Sequence, residues 1–260
     1  YKINLTLFSS CISFVFYVVG ISTDSWISAT AILTNQIKSD VNYGLFSGKI
    51  DRHQLAATLR FGLSGKLITC DFTENACIYS CQSVGSERQD ELYRILRGEE
   101  LRPCEETNIA DPGKHCIPAS LWFSTVLFLS LSILLTVTAG AFEMINLYFS
   151  PIEPIFNVFG LYFWNGAAAI CSLLTLSTWG GLFHNFLILN IAITDTLRQE
   201  LTFLSDGRAQ IGSSLFMVLA GLILNICNVA LLFLRHHILN PQAESHTITV
   251  VQNDASLQFY

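Results

Sequence analysis

The chain has 260 residues, 51% of them hydrophobic and 13% charged, with a net charge of −6. Soluble domains carry about twice that share of charge, and a negative chain has no electrostatic basis for binding nucleic acid. The charge is also gathered largely into one block, which excludes an ordinary charged soluble surface and points to a membrane protein.

Four apolar segments without a charged residue follow in chain order: residues 3–21, 120–142, 155–176 and 211–234. A helix needs about 20 residues to cross the hydrocarbon layer of a bilayer, so each is predicted to span it. The implied domains are a first span within 1–21, a large loop at 22–119 and a second span at 120–142. A short loop at 143–154, a third span at 155–176 that can extend outward, a second loop at 177–210, a fourth span at 211–234 and a tail at 235–260 complete the chain. The first span carries Asn4, Thr6, Ser9, Ser10, Cys11 and Ser13 on roughly one side, which predicts helix packing through small polar groups. Gly166–Ala169 and Ala220-Gly221 read as further close-packing points.

Four spans put the two termini on one side. Lys2 and Arg235 flank the first and last spans, and the 143–154 loop has acids but no base. Positive charge is retained in the cytoplasm, so both termini are placed there, in a multi-pass protein of the plasma membrane. Five of the eight cysteines, Cys70, Cys77, Cys81, Cys104 and Cys116, fall in the large loop. That usage suits an oxidising compartment and an outer loop. Two bridges leave one thiol over, and the spacing does not choose the pairing. A zinc site at Cys77-x3-Cys81 is the rival reading and requires the opposite topology.

Within the large loop, SWISATAIL, NYGLFSG, LITCDF and ACIYSC are apolar patches between turn signals. They are predicted to form short strands of one antiparallel sheet. Residues 52–63 read as helix or loop, and residues 87–100 as a helix with Leu92, Ile95 and Leu96 on one face. In the second loop, residues 181–193 stay very apolar. They are read as an outward continuation of the third helix or as a surface element, and as a contact face.

The pattern resembles the claudin-like tetraspan superfamily. Trp26 follows the first span, and Gly44-Leu45-Phe46 comes later with cysteines beyond it. Phe46 in place of a tryptophan, the preceding Tyr43 and the entry PIEPIFNVFGLYFWNG to the third span are most similar to the clarin branch. The resemblance implies a four-helix transmembrane bundle with a small extracellular β-sheet, with Trp26, Gly44, Leu45 and Phe46 as signature residues near the outer membrane face. It also implies Cys70 with Cys77 as the counterpart of the signature disulfide, with Cys81 and Cys104 as alternative partners for Cys77. The large loop is longer than that of a typical claudin, so barrier function is not carried over.

No phosphate loop, HExxH or nucleophile elbow is present. His53, His115 and His184 lie apart, and the acids nearest the spans, Glu143 and Glu153, read as sitting at inner helix ends. No catalytic, cofactor or metal site is expected. The expected function is that of a non-enzymatic auxiliary or scaffolding subunit of an ion channel or a sensory or adhesion complex. Tyr43, Trp179, Leu182, Phe183 and Phe186 are the expected contacts to a membrane-protein partner, with the lipid bilayer as the surrounding medium. The alternatives are an adhesion protein working through the large loop or an oligomeric pore. The C-terminal SLQFY is read either as a groove-binding end or as unstructured tail.

Overall fold

The computed structural model describes residues 2–34, 37–54, 61–80, 82–97, 116–148, 158–188 and 208–234. Helix α1 (Lys2–Ser22) leads into a six-stranded sheet. Strands β1 (Ile27–Thr34), β2 (Ile37–Tyr43), β3 (Ser47–Gln54), β4 (Phe61–Asp71) and β5 (Ala76–Ser80) form an antiparallel meander. Helix α2 (Gly85–Leu96) packs on it, with Leu92 and Ile95 buried against Ala76 and Ile78. Three long helices follow: α3 (Ala119–Tyr148), α4 (Val158–Leu182) and α5 (Ser213–Leu234). Strand β6 (Ala209–Ile211) precedes α5 and pairs antiparallel with β1, giving the order β5-β4-β3-β2-β1-β6.

Helices α1, α3, α4 and α5 are each long and apolar enough to cross a membrane. Their outward faces carry the large apolar side chains, among them Phe8, Val15, Leu127, Leu134, Phe163 and Phe233, all exposed. Their inward faces carry small and polar ones: Ser10, Ser13, Ser132, Thr136, Asn165, Ser172, Asn225 and Asn228 are buried. This inversion suits lipid, where apolar surface is not driven inward and helix association relies on close packing and hydrogen bonds. At mid-bundle the Tyr17 hydroxyl shares a hydrogen bond of 2.6 Å with Ser172 and accepts one of 2.9 Å from Asn225 Nδ2. Ser13 Oγ donates to the Gly221 carbonyl at 3.0 Å. A Cβ on Gly221 would lie 2.5 Å from the Tyr17 ring, so only glycine lets α5 approach α1 here. Ala168 is likewise buried, whereas the other glycine expected to pack closely, Gly166, has open space beside it.

Helix α3 has 30 residues, about 45 Å of length against a hydrocarbon layer of about 30 Å. Its first turns therefore belong to the sheet. Cys77 and Ile117 exchange backbone hydrogen bonds of 2.7 and 2.9 Å just before the helix begins. Asn75, in the β4–β5 turn with a φ of 48°, then caps α3. Its carbonyl accepts from Ala119 N at 3.2 Å and its Oδ1 from Ser120 N at 2.8 Å, filling two of the donors a helix start leaves open. Asparagine tolerates this left-handed backbone better than most residues.

The structure departs from the sequence expectations at several points. Residues 52–63 were expected as helix or loop, but β3 continues to Gln54 and β4 begins at Phe61. NYGLFSG is not one strand: Asn42 and Tyr43 end β2, Gly44-Leu45-Phe46 turn, and Ser47 and Gly48 begin β3. Helix α3 runs through Tyr148, so Glu143 lies inside it, fully buried, instead of at a solvated end. Helix α4, by contrast, runs to Leu182 and into a π-helical turn, Phe183–Leu187, which is the outward continuation given as one reading of this stretch.

Candidate functional site

The β2–β3 turn is the point at which the sheet and the helices meet. Gly44 N donates to the Ser47 carbonyl at 2.7 Å, closing it. Each carbonyl from Tyr43 to Phe46 accepts from a different element. Tyr43 receives Trp26 N at 2.9 Å, Gly44 the Tyr79 hydroxyl, Leu45 the Trp122 indole at 2.8 Å, and Phe46 the Ile68 N at 3.0 Å. Buried carbonyls demand partners, and here those partners come from the link before β1, from β5, from α3 and from β4. Gly44 is required by contact: a Cβ there would sit 2.6 Å from the Thr23 carbonyl. Asp24 closes the other side, accepting from Ser47 Oγ and pairing with Lys49 at 3.2 Å.

Trp26 is fully buried. Its indole donates to the Gly20 carbonyl at 2.7 Å, in the last turn of α1. Its own carbonyl accepts from Gly212 N at 2.9 Å, at the start of α5, and its ring meets Trp179 of α4 edge-on at 4.9 Å. One residue thus ties three helix ends to the sheet. Tyr43 stacks on Tyr79 at 4.2 Å, and burial pushes the Tyr79 phenol well above its ordinary range.

Three of the five residues expected to touch a partner are therefore core. Tyr43, Trp179 and Leu182 are at most 1% exposed, because the chain's own sheet and helices close over them. The Tyr43 hydroxyl is buried too. Phe183 and Phe186 are half-buried against the same core. Leu45 is buried, while Phe46 is 43% exposed.

What the turn does present outward is a ledge of aromatic and aliphatic side chains. Phe46 lies edge-on to Trp122 at 6.2 Å. Phe72, in the β4–β5 turn and 61% exposed, lies edge-on to Phe123 at 5.6 Å. Leu67 and Phe123 are exposed beside them. On α3, Leu127, Leu131 and Leu134 are also exposed, at helical spacing from Phe123. Sequence reasoning named Phe46 alone of this group; Leu67, Phe72 and Phe123 come together only when two turns dock on one helix.

Cys70 and Cys77 are directly paired across β4 and β5 and form a disulfide. Cys116 is a free, half-buried thiol, which burial pushes up to about 11. Cys81 and Cys104 lie outside the described residues. Among the described residues no group of three or more His, Cys, Asp or Glu side chains is arranged to hold a metal ion. The chain matches no protein-family model and no curated protein sequence. Its architecture, four membrane-length helices with a small disulfide-bearing antiparallel sheet, is consistent with the claudin-like tetraspan fold class.

Proposed function

We propose that this tetraspan membrane protein is a clarin-like auxiliary or scaffolding subunit of the plasma membrane, with cytoplasmic termini and an extracellular sheet. It packs laterally against a channel or another membrane protein. The carrying observation is the exposed ledge of Phe46, Leu67, Phe72 and Phe123, with Phe123 at helical spacing from the exposed leucines of α3. Exposed apolar bulk of this kind marks contact surfaces, and aromatic side chains dominate the energy of such contacts. The ledge is held rigidly by the turn beneath it, so little ordering is needed on binding. Tyr17, Ser172 and Asn225 spend their polar groups on one another, which supports a packing role over transport.

Purification of the full chain from its native membrane in mild detergent tests this. The expected result is stoichiometric recovery of one integral membrane protein. That recovery is lost in a Phe46→Ser/Phe72→Ser variant whose own melting temperature stays within a few degrees of wild type. Recovery of the chain alone as a monomer, or intact partner recovery in the double variant, overturns the reading. Clustering of cells driven by the chain alone would favour adhesion instead.

A further inference from the structure

Glu143 is a carboxylate inside the bundle with no positive charge to meet it among the described residues. It is fully buried on α3. Its Oε1 accepts from Asn165 Nδ2 of α4 at 3.3 Å. Asn228 of α5 donates through Nδ2 to Asn165 Oδ1 at 3.2 Å and to Ser10 Oγ of α1 at 2.9 Å. This hydrogen-bonded chain joins all four membrane helices at their inner halves. Two of its buried oxygens, Glu143 Oε2 and Asn228 Oδ1, receive no hydrogen bond. An acceptor buried without a donor is costly, and more so in a lipid-surrounded bundle.

Candidates for the missing positive charge fall away in turn. The four spans contain no Lys or Arg. The groups against Glu143 are Ser10 from α1 and Asn165 from α4, with Asn228 of α5 bonded to both, and none of them titrates. His184 is at the opposite end of the third span, and the remaining titratable side chains of the spans are phenols and thiols. A basic residue of a neighbouring protein has no route to a side chain without exposed surface. A metal cation needs several oxygen ligands, but Asn165 turns its Nδ2 and not its oxygen to the carboxylate.

We propose that Glu143 is a proton-binding site: it sits in the bundle as a carboxylic acid, which removes the buried charge and turns the partnerless acceptor Oε2 into a hydroxyl. Binding forms the O–H bond and neutralises the carboxylate. Release breaks that bond and passes the proton to water beyond the inner helix ends. Glu143 is five residues from the end of α3, about 8 Å along its axis. Release leaves a lone negative charge where four helices meet, so proton concentration at that face controls how firmly their inner ends hold together. This inference stands apart from the partner reading above.

Infrared spectroscopy of the full chain in lipid nanodiscs tests it. Wild type is expected to show a protonated-carboxyl carbonyl band at neutral pH. The band disappears completely in Glu143→Gln and is unchanged when sodium is replaced by choline. The Gln variant keeps shape and neutrality, so its melting temperature matches wild type at neutral pH and stays flat on alkalinisation, where wild type loses stability. Absence of the band in wild type overturns the proposal. So does a melting temperature raised by sodium but not choline, which would assign a metal cation. A Glu143→Gln chain that fails to fold or melts far below wild type at neutral pH overturns it as well.

Discussion

Gly44 and Trp26 face one another across the first link between membrane and sheet, and each is there for a separate physical reason. The tryptophan supplies one buried indole N–H and a ring large enough to reach Trp179. The glycine supplies the absence of a side chain where the backbone of Thr23 and Asp24 passes. A Gly44→Ala methyl would lie 2.6 Å from one backbone atom and 2.8 Å from another, and neither can swing aside as a flexible side chain would. Overpacking of this kind costs about 1–3 kcal/mol. Thermal melts followed by tryptophan fluorescence should therefore show a clearly lowered midpoint for Gly44→Ala. A midpoint unchanged from wild type would mean that the turn shifts freely and is no rigid support for Phe46.

At the scale of elements, the β4–β5 hairpin does more than pair two strands. It carries the disulfide, presents Phe72, caps α3 through Asn75 and holds α2 through Asp71. Asp71 accepts from the Thr73 hydroxyl and the Tyr93 hydroxyl, and from Thr73 N at 2.7 Å and Glu74 N at 3.1 Å. These donors, the Thr73 hydroxyl foremost, hold its carboxyl well below the ordinary value of 3.8. The same pairing raises the Tyr93 phenol. A carboxyl lowered on folding stabilises the folded state above its unfolded value, and that stabilisation is lost as pH falls toward the folded one. Hydrogen exchange at the β4–β5 turn and α2 should accelerate as pH drops below about 4, after correction for intrinsic rates. Asp71→Asn should abolish most of that pH dependence. An Asp71→Asn variant as acid-sensitive as wild type would show that other groups govern this region.

At the scale of the whole molecule, the bundle is held by hydrogen bonds that cross it. Asn225 donates to Tyr17 of α1 at 2.9 Å and to Thr136 of α3 at 3.4 Å, and accepts from Ser13 at 3.3 Å. Interhelical bonds in membranes contribute about 0.6 kcal/mol on average and up to about 2. Asn225→Leu, which keeps the branched four-atom side chain but removes its polar groups, is expected to cost about 1–2 kcal/mol in a reversible detergent-unfolding measurement. A stabilised Leu variant would mean that packing alone holds the bundle. The four spans were legible in the sequence because the bilayer demands long uncharged runs, and a run of that kind has few other readings. Glu143 was misread for the same reason: hydropathy ends a span at the first charge, although Asn165 can carry a carboxyl further in. Strands β2 and β3, IKSDVNY and SGKIDRHQ, were missed because they are largely polar and defined by their backbone ladder. Tyr43, Trp179 and Leu182 were misassigned because apolarity marks core and contact surface alike, and only the packed chain separates them.

Strand β6 gives the molecule an order in time. It closes the free edge of β1, yet it is made of residues that directly precede the last helix. As the chain is synthesised, β1 emerges after α1 and waits through three further helices with one edge open. An open strand edge is a template for unwanted pairing. Joining of Ile27 to Ile211 requires the chain to have returned through α3 and α4, so completion of the outer sheet records that those helices have been made. A chain halted before β6 would carry an unfinished edge on its surface, visible to whatever surveys newly made membrane proteins.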